Sequence, residues 1–204
     1  MKSFCFTVVA ILLTPNAHAA LWVDITQATI GPTKEWSNKV ELADIDGDGL
    51  VDILLANGGN YASAGTPELN RVFKNNGHGK AFEEVTKSVF GSTPDLARVI
   101  KVRDVNGDTI PDILVGCTYQ TRSRLFIGQG SGVYEEKSDT QLPPQDLSVG
   151  DLELGDVDGD GDLDVVLADW GPGNPMKNGG APTRLWLNDG SGTFTNVADK
   201  AGFV

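Results

Sequence analysis

The residues best suited to chemistry in this chain are aspartates that recur in three acidic segments of nine residues. These segments, at 44–52, 104–112 and 156–164, read DIDGDGLVD, DVNGDTIPD and DVDGDGDLD. They share the pattern D-x-[DN]-G-D-x-x-x-D, and the second residue is always apolar. Calcium takes roughly six to eight oxygen ligands, and a tight loop can aim alternate side chains at one ion. Positions 1, 3, 5 and 9 would supply side-chain oxygens and position 7 a backbone carbonyl, so each segment is predicted to bind Ca²⁺.

An EF-hand loop also opens with alternating aspartates, and it is the first alternative. It requires a bidentate glutamate at position 12 and a helix on each side. Position 12 is apolar in all three copies, at Leu55, Val115 and Leu167. Apolar residues alternate before each loop and form short runs after it, which is typical of strands. Strand, calcium loop, strand is therefore the predicted unit, with hairpins near 40–57, 99–117 and 151–169. A solvated acidic turn without metal is the simpler alternative for one copy, but three copies in register favour metal.

The repeat extends beyond the calcium loops. Each hairpin is followed by an arginine, two apolar or aromatic residues and a Gly-rich turn; the arginines, which are expected to serve the fold, are Arg71, Arg124 and Arg184. An aromatic residue then opens a fourth short segment, at Phe82, Tyr134 and Phe194, with one further copy at Trp22. The aromatic positions are 60, 52 and 60 residues apart, and the first loop aspartates are 60 and 52 apart. A fixed period of about 50 residues with four strands per unit predicts a propeller-type array.

With its metal loop between two strands, its R-[LV]-[FW] segment and its turn to an aromatic residue, the chain resembles the FG-GAP/VCBS repeat family. The resemblance covers about residue 22 to the C-terminus. It implies an all-β fold, an integrin-α-like β-propeller of four-stranded antiparallel blades. About three complete blades and part of a fourth are expected within residues 20–204.

The resemblance also implies about three Ca²⁺ sites. The implied side-chain ligands are Asp44, Asp46, Asp48, Asp52, Asp104, Asn106, Asp108, Asp112, Asp156, Asp158, Asp160 and Asp164. The implied backbone carbonyl ligands are those of Leu50, Ile110 and Asp162. In the second loop Asn106 replaces a carboxylate and Thr109 replaces a glycine. Because calcium affinity follows ligand charge and loop rigidity, the second site is expected to bind more weakly.

The first nineteen residues predict a secretory signal peptide. Lys2 gives a basic start, 6–13 is largely apolar, and Ala17-His18-Ala19 is a small-x-small site, so cleavage after Ala19 is expected. A buried N-terminal strand is the alternative. The predicted location is therefore the medium, the periplasm or the cell surface, where calcium can reach millimolar levels and fill even weak sites.

Composition restricts the partners. The chain has 204 residues, 25 glycines and a net charge of −12, and twelve of its 28 acidic residues lie in the three loops. Nucleic acid is not an expected partner because there is no basic patch. No stretch beyond residue 20 is expected to span a membrane. After cleavage Cys117 would be the sole cysteine, so an intramolecular disulfide is excluded and a small buried apolar role is expected.

Binding is expected on the face of the blades opposite the calcium loops. In an up-and-down blade that face carries the connections between the second and third strands and those between blades. They are 57–70, 118–123, 169–183, 87–97 and 139–147. Their lengths vary, and they contain Tyr61, Tyr119 and Trp170. Variable loops on a regular scaffold usually carry binding, so this face is predicted to bind or adhere to a protein or glycan. Trp170 would either contact the ligand or pack under its own loop.

Catalysis is not expected. His78 is the single histidine after the predicted cleavage site, and the chain has no nucleophile elbow and no P-loop. The alternatives are a calcium-dependent polysaccharide-active enzyme, because some polysaccharide lyases resemble this architecture, and a structural segment of a larger exoprotein. Three blades cannot close a ring. The chain would therefore be a fragment, associate with copies of itself or with missing blades in another chain, or persist as an open stack.

Overall fold

A computed structural model describes residues 23–77, 79, 81–174, 176–177 and 179–197. The first blade consists of β1 (Ser37–Ala43), β2 (Asp52–Asn57), β3 (Arg71–Asn75) and β4 (Phe82–Glu84). The second consists of β5 (Ala97–Arg103), β6 (Asp112–Cys117), β8 (Arg124–Gly128) and β9 (Tyr134–Glu136), and a small sheet pairs β7 (Thr121–Arg122) with β10 (Asp146–Leu147). The third consists of β11 (Val149–Gly155), β12 (Asp164–Asp169), β13 (Arg184–Asn188) and β14 (Phe194–Asn196).

The predicted all-β fold of four-stranded antiparallel blades is confirmed. Within each blade the strands follow one another in chain order, and the described blades do not close a ring. The three blades share one register: Val40 pairs with Leu55, Ile100 with Val115, and Leu152 with Leu167. The first strand of every blade also has a bulge near its second residue. The sequence repeat is therefore a repeat of backbone pairing.

The hydrophobic core lies between blades rather than inside one sheet. Successive residues of β6 point to opposite faces, as the period of a strand requires. Ile113 and Val115 join a buried cluster with Leu54 and Val72 of the first blade. Leu114 joins a second cluster with Leu152 and its neighbours in the third blade. Each fully buried aliphatic side chain stabilises the stack by about 1.5–3 kcal/mol.

The strand-three aromatics and arginines are structural. Phe73, Phe126 and Trp186 are all buried, and so is Cys117, which confirms the buried role expected for that cysteine. The arginine that precedes Phe126 ties its own blade together, because Arg124 Nε and Nη2 donate to the Glu136 carboxylate on β9 at 2.9 and 2.8 Å. Its Nη1 also pairs with Asp95 Oδ2 at 3.2 Å, in the segment before β5. A bidentate arginine–carboxylate pair fixes the geometry of both strands.

Short helices follow the fourth-strand positions, and they were not predicted. They are α1 (Thr26–Thr29), α2 (Thr86–Phe90) and α3 (Ser138–Gln141). The hydroxyl oxygens of Thr86 and Ser138 accept the backbone N–H of Val72 and Leu125, each at 3.0 Å, and so fasten these helices to strand three. The fourth-strand copy expected from Trp22 begins outside the described residues, and residues 23–25 are irregular. The predicted signal peptide also lies outside them.

Candidate metal centres and loop face

The first aspartate of each acidic loop organises the turn. Asp44 accepts the backbone N–H of Gly47 and of Gly49 on its two carboxylate oxygens, both at 2.8 Å. Asp104 and Asp156 make the equivalent bonds in their loops. The side chains at positions 3 and 5 each accept the backbone N–H of the residue two positions later. In the first loop, Asp46 Oδ1 accepts that of Asp48, and Asp48 Oδ1 accepts that of Leu50. Such turns hold alternate carboxylates on one side of the loop.

The last aspartate of each loop is buried and connects the loop to strand three. Asp52 Oδ2 accepts the N–H of Ile45 at 3.0 Å, and its Oδ1 accepts the N–H of Asn75 at 2.7 Å. Asp112 and Asp164 repeat this arrangement. The sequence analysis predicted these three aspartates only as metal ligands. The structure adds a second role, because each carboxylate satisfies two backbone amides of its own blade.

The first and third loops each bring three carboxylates together. Oxygens of Asp44, Asp46 and Asp48 lie within 4.8 Å of one another, and so do oxygens of Asp156, Asp158 and Asp164. Asp52, Asp160 and Asp162 share these loops but fall outside the two groups. Within the described residues, the second loop forms no such group. Ligation by individual residues, including the carbonyls of Leu50, Ile110 and Asp162, remains a prediction.

The donor set fits calcium. All the converging atoms are hard carboxylate oxygens, which suit Ca²⁺ and not a soft transition metal. The first loop already attracts a cation, because Lys74 Nζ pairs with Asp46 and lies 3.6 Å from Asp48 Oδ2. In the second loop the pKa of Asp112 is raised to about 6, chiefly by burial and also by the charges of Asp108 and Asp104, while two backbone N–H bonds act to lower it. A bound cation would favour the ionised form of each carboxylate.

Thr109 strains the second loop. It has a φ of +72°, in the left-handed region, where the equivalent residues of the other loops are Gly49 and Gly161. A β-branched side chain is costly in that conformation.

Thr109→Gly is therefore expected to raise the free energy of unfolding by about 1 kcal/mol and to tighten calcium binding in that loop. Urea unfolding at fixed calcium measures the first effect. The matched control is Gly49→Thr, which should destabilise the first loop by a similar amount. Equal stability of Thr109→Gly and the unaltered protein would contradict the strain argument.

On the opposite face, one residue from each blade meets in an aromatic cluster. Arg98 of β5 places its guanidinium carbon 4.5 Å from the Tyr61 ring centroid and 4.8 Å from that of Trp170. Tyr61 belongs to a loop of the first blade and Trp170 to a loop of the third. The Arg98 Nη1 donates to Asn38 Oδ1 at 2.8 Å, and Arg98 is 5% exposed. No carboxylate of the described chain pairs with Arg98, so the two ring faces compensate its charge through cation–π contacts.

The cluster is built from one repeated position. Asn38, Arg98 and Gly150 are the second residues of β1, β5 and β11, where the first strands bulge. A Cβ at Gly150 would stand 2.0 Å from Trp170 Nε1, so only glycine leaves room for this indole. Asn38 thus holds Arg98, and Arg98 with Gly150 positions Trp170.

These rings line a pocket of about 290 Å³ together with Asp169, Met176 and Gly180. Tyr61 is 59% exposed there. The predicted loop face therefore contains a pocket, and Trp170 both packs against the scaffold and lines it. Sequence analysis missed Arg98, although its alignment with Asn38 and Gly150 was readable from the repeat.

The stacked blades, with acidic loops at one end and variable connections at the other, define a β-propeller-type repeat protein. The FG-GAP-like repeat family matches residues 44–115 and 104–167, which is more than half of the chain. The chain therefore belongs to the FG-GAP-like repeat family. A comparison with curated proteins found no match. None of the described helices has the length and apolar character needed to cross a membrane.

Proposed function

We propose that this protein is an exported, Ca²⁺-stabilised propeller module that binds a macromolecule through its loop face, without catalysis. Calcium would be structural. The acidic loops would hold it, and the ion would neutralise neighbouring carboxylates that otherwise repel one another. Export after Ala19 belongs to the same proposal, because it would place the loops where calcium is abundant.

The pocket of Tyr61 and Trp170 carries the binding proposal. Loops of the first and third blades line it, and Arg98 of the second blade contacts both of its rings, so it exists only when the stack is assembled. The exposed side chain of Tyr61 and the Trp170 ring, with Asp169 beside them, combine apolar contact with hydrogen bonding. This combination favours a sugar ring, which has an apolar C–H face and a rim of hydroxyls. A protein segment is the second ligand class consistent with the same pocket.

Titration calorimetry against soluble neutral and acidic polysaccharides tests the proposal. We expect saturable binding of at least one polysaccharide and, for Trp170→Ala, a loss of about tenfold to a hundredfold in affinity, which equals about 1.4–2.7 kcal/mol. Trp36→Ala is the matched control, because Trp36 is 55% exposed but does not line the pocket. Equal affinity of Trp170→Ala and the unaltered protein would refute the pocket.

Product analysis on the same samples separates binding from catalysis. A binding module leaves the polysaccharide chain length unchanged. New reducing ends or unsaturated sugars would favour a polysaccharide-active enzyme instead. Absence of binding to all polysaccharides, with retained binding of a protein ligand, would assign the pocket to proteins.

A further inference from the structure

The two ends of the blade stack expose apolar residues at positions that are buried between blades elsewhere. Each blade has a leading face, which contacts the preceding blade, and a trailing face, which contacts the following one. On the leading face, Ile100 and Val102 of the second blade are 0% and 5% exposed. The equivalent residues of the first blade, Val40 and Leu42, are 52% and 62% exposed.

The trailing faces show the same contrast. Leu54 of the first blade and Leu114 of the second are 0% and 2% exposed. Their equivalent in the third blade, Val166, is 38% exposed, and it is accompanied by half-buried Leu185 and Leu187. These side chains are apolar like their buried equivalents, although they face solvent.

The apolar second residue of the acidic motif belongs to the same interface. Ile45 is buried, and its carbonyl accepts the hydroxyl of Tyr134, which begins the fourth strand of the next blade, at 3.0 Å. Val105 is buried with Phe194, the equivalent aromatic of the third blade. Val157, with no described blade after it, is 49% exposed. The motif therefore encodes a contact between blades as well as a loop.

We infer that two copies of this chain close one ring, with the leading face of each first blade against the trailing face of its partner's third blade. The chain carries both halves of this interface, and the same pair of faces already joins its blades to one another. Two copies of the three described blades give six, which lies within the range of about four to eight blades found in closed propellers. The contact is heterologous, but it closes after one two-fold rotation. This inference does not depend on the ligand of the loop face.

Sedimentation velocity of the purified protein in calcium, over a concentration series, tests the inference. We expect a species of twice the chain mass. Leu42→Glu at one end and Val166→Glu at the other should each weaken association by about a hundredfold or more, because each places an uncompensated carboxylate in the interface. Val133→Glu is the control, since Val133 is 57% exposed in the turn between β8 and β9, away from both end faces.

Melting temperature establishes that each variant is folded, and having one variant at each end keeps the test valid if either fails to fold. A monomer at all concentrations overturns the inference, whether the faces are open or covered by the terminal segments of the chain. A ladder of larger species overturns ring closure. A dimer that both end variants retain overturns the proposed interface.

Discussion

Chelation of calcium with EGTA is expected to lower the melting temperature by about 15–30 °C. An ion at about 100 times its Kd stabilises the folded state by about 2.7 kcal/mol, so three such sites contribute about 8 kcal/mol. This is comparable to the whole stability of a typical domain, about 5–15 kcal/mol. For a chain of this size, 1 kcal/mol corresponds to about 2–4 °C. Calorimetric melting curves before and after EGTA measure the shift.

The aspartates provide the control for chelation. The triple variant Asp46→Ala, Asp108→Ala, Asp158→Ala removes one side chain from each loop and should melt in calcium close to the chelated unaltered protein. Adding calcium after EGTA should restore stability, whereas magnesium should do so poorly because it requires a smaller octahedral site. A melting temperature that does not change on addition of EGTA would contradict a structural role for calcium.

Asp164→Ala is expected to destabilise the fold by about 2–6 kcal/mol even without calcium. Its carboxylate is 0% exposed and accepts the N–H groups of Val157 and Asn188 at 3.0 and 2.9 Å. Removing it leaves two amides unsatisfied, each at a cost of about 1–3 kcal/mol. Urea unfolding in EGTA, with sucrose to keep the chelated protein folded, measures this effect.

Asp158→Ala is the matched control in the same loop. The Asp158 side chain is exposed, and its carboxylate accepts one N–H, that of Asp160 at 3.2 Å. Asp158→Ala should therefore lower the free energy of unfolding only in calcium. In EGTA its free energy of unfolding should stay within about 0.5 kcal/mol of that of the unaltered protein. Equal effects of the two variants in EGTA would show that the buried hydrogen bonds of Asp164 do not anchor strand three.

The blade architecture was predictable because short-range patterns in the sequence determine where its strands begin and end. Alternation before each acidic loop and the short apolar run after it place the first two strands, and the shared spacing of Asp44, Asp104 and Asp156 fixes the repeat. The helices were not predictable in this way, because a single turn is too short for a helical period. Their starting residues, Thr26, Thr86 and Ser138, follow the repeat spacing, but the role of the hydroxyls depends on a contact with strand three.

The sites were predictable only in part. The sequence places carboxylates at alternate positions, but it does not show that Asp52 and its equivalents also bind two backbone amides. The cluster around Arg98 depends on packing between three blades and on the bulge in β5. The repeat aligns Arg98 with Asn38 and Gly150, but the sequence does not show that these positions meet Trp170, which fits only in the space left by Gly150.

The most direct test of the central claim is the number of calcium ions bound per chain, measured by titration calorimetry of the chelated protein in sucrose that keeps it folded. We expect about three ions, with the weakest affinity at the loop of Asn106, and a loss of one ion in each of Asp46→Ala, Asp108→Ala and Asp158→Ala. No calcium binding, or an unchanged stoichiometry in all three variants, would contradict the assignment of these loops to calcium.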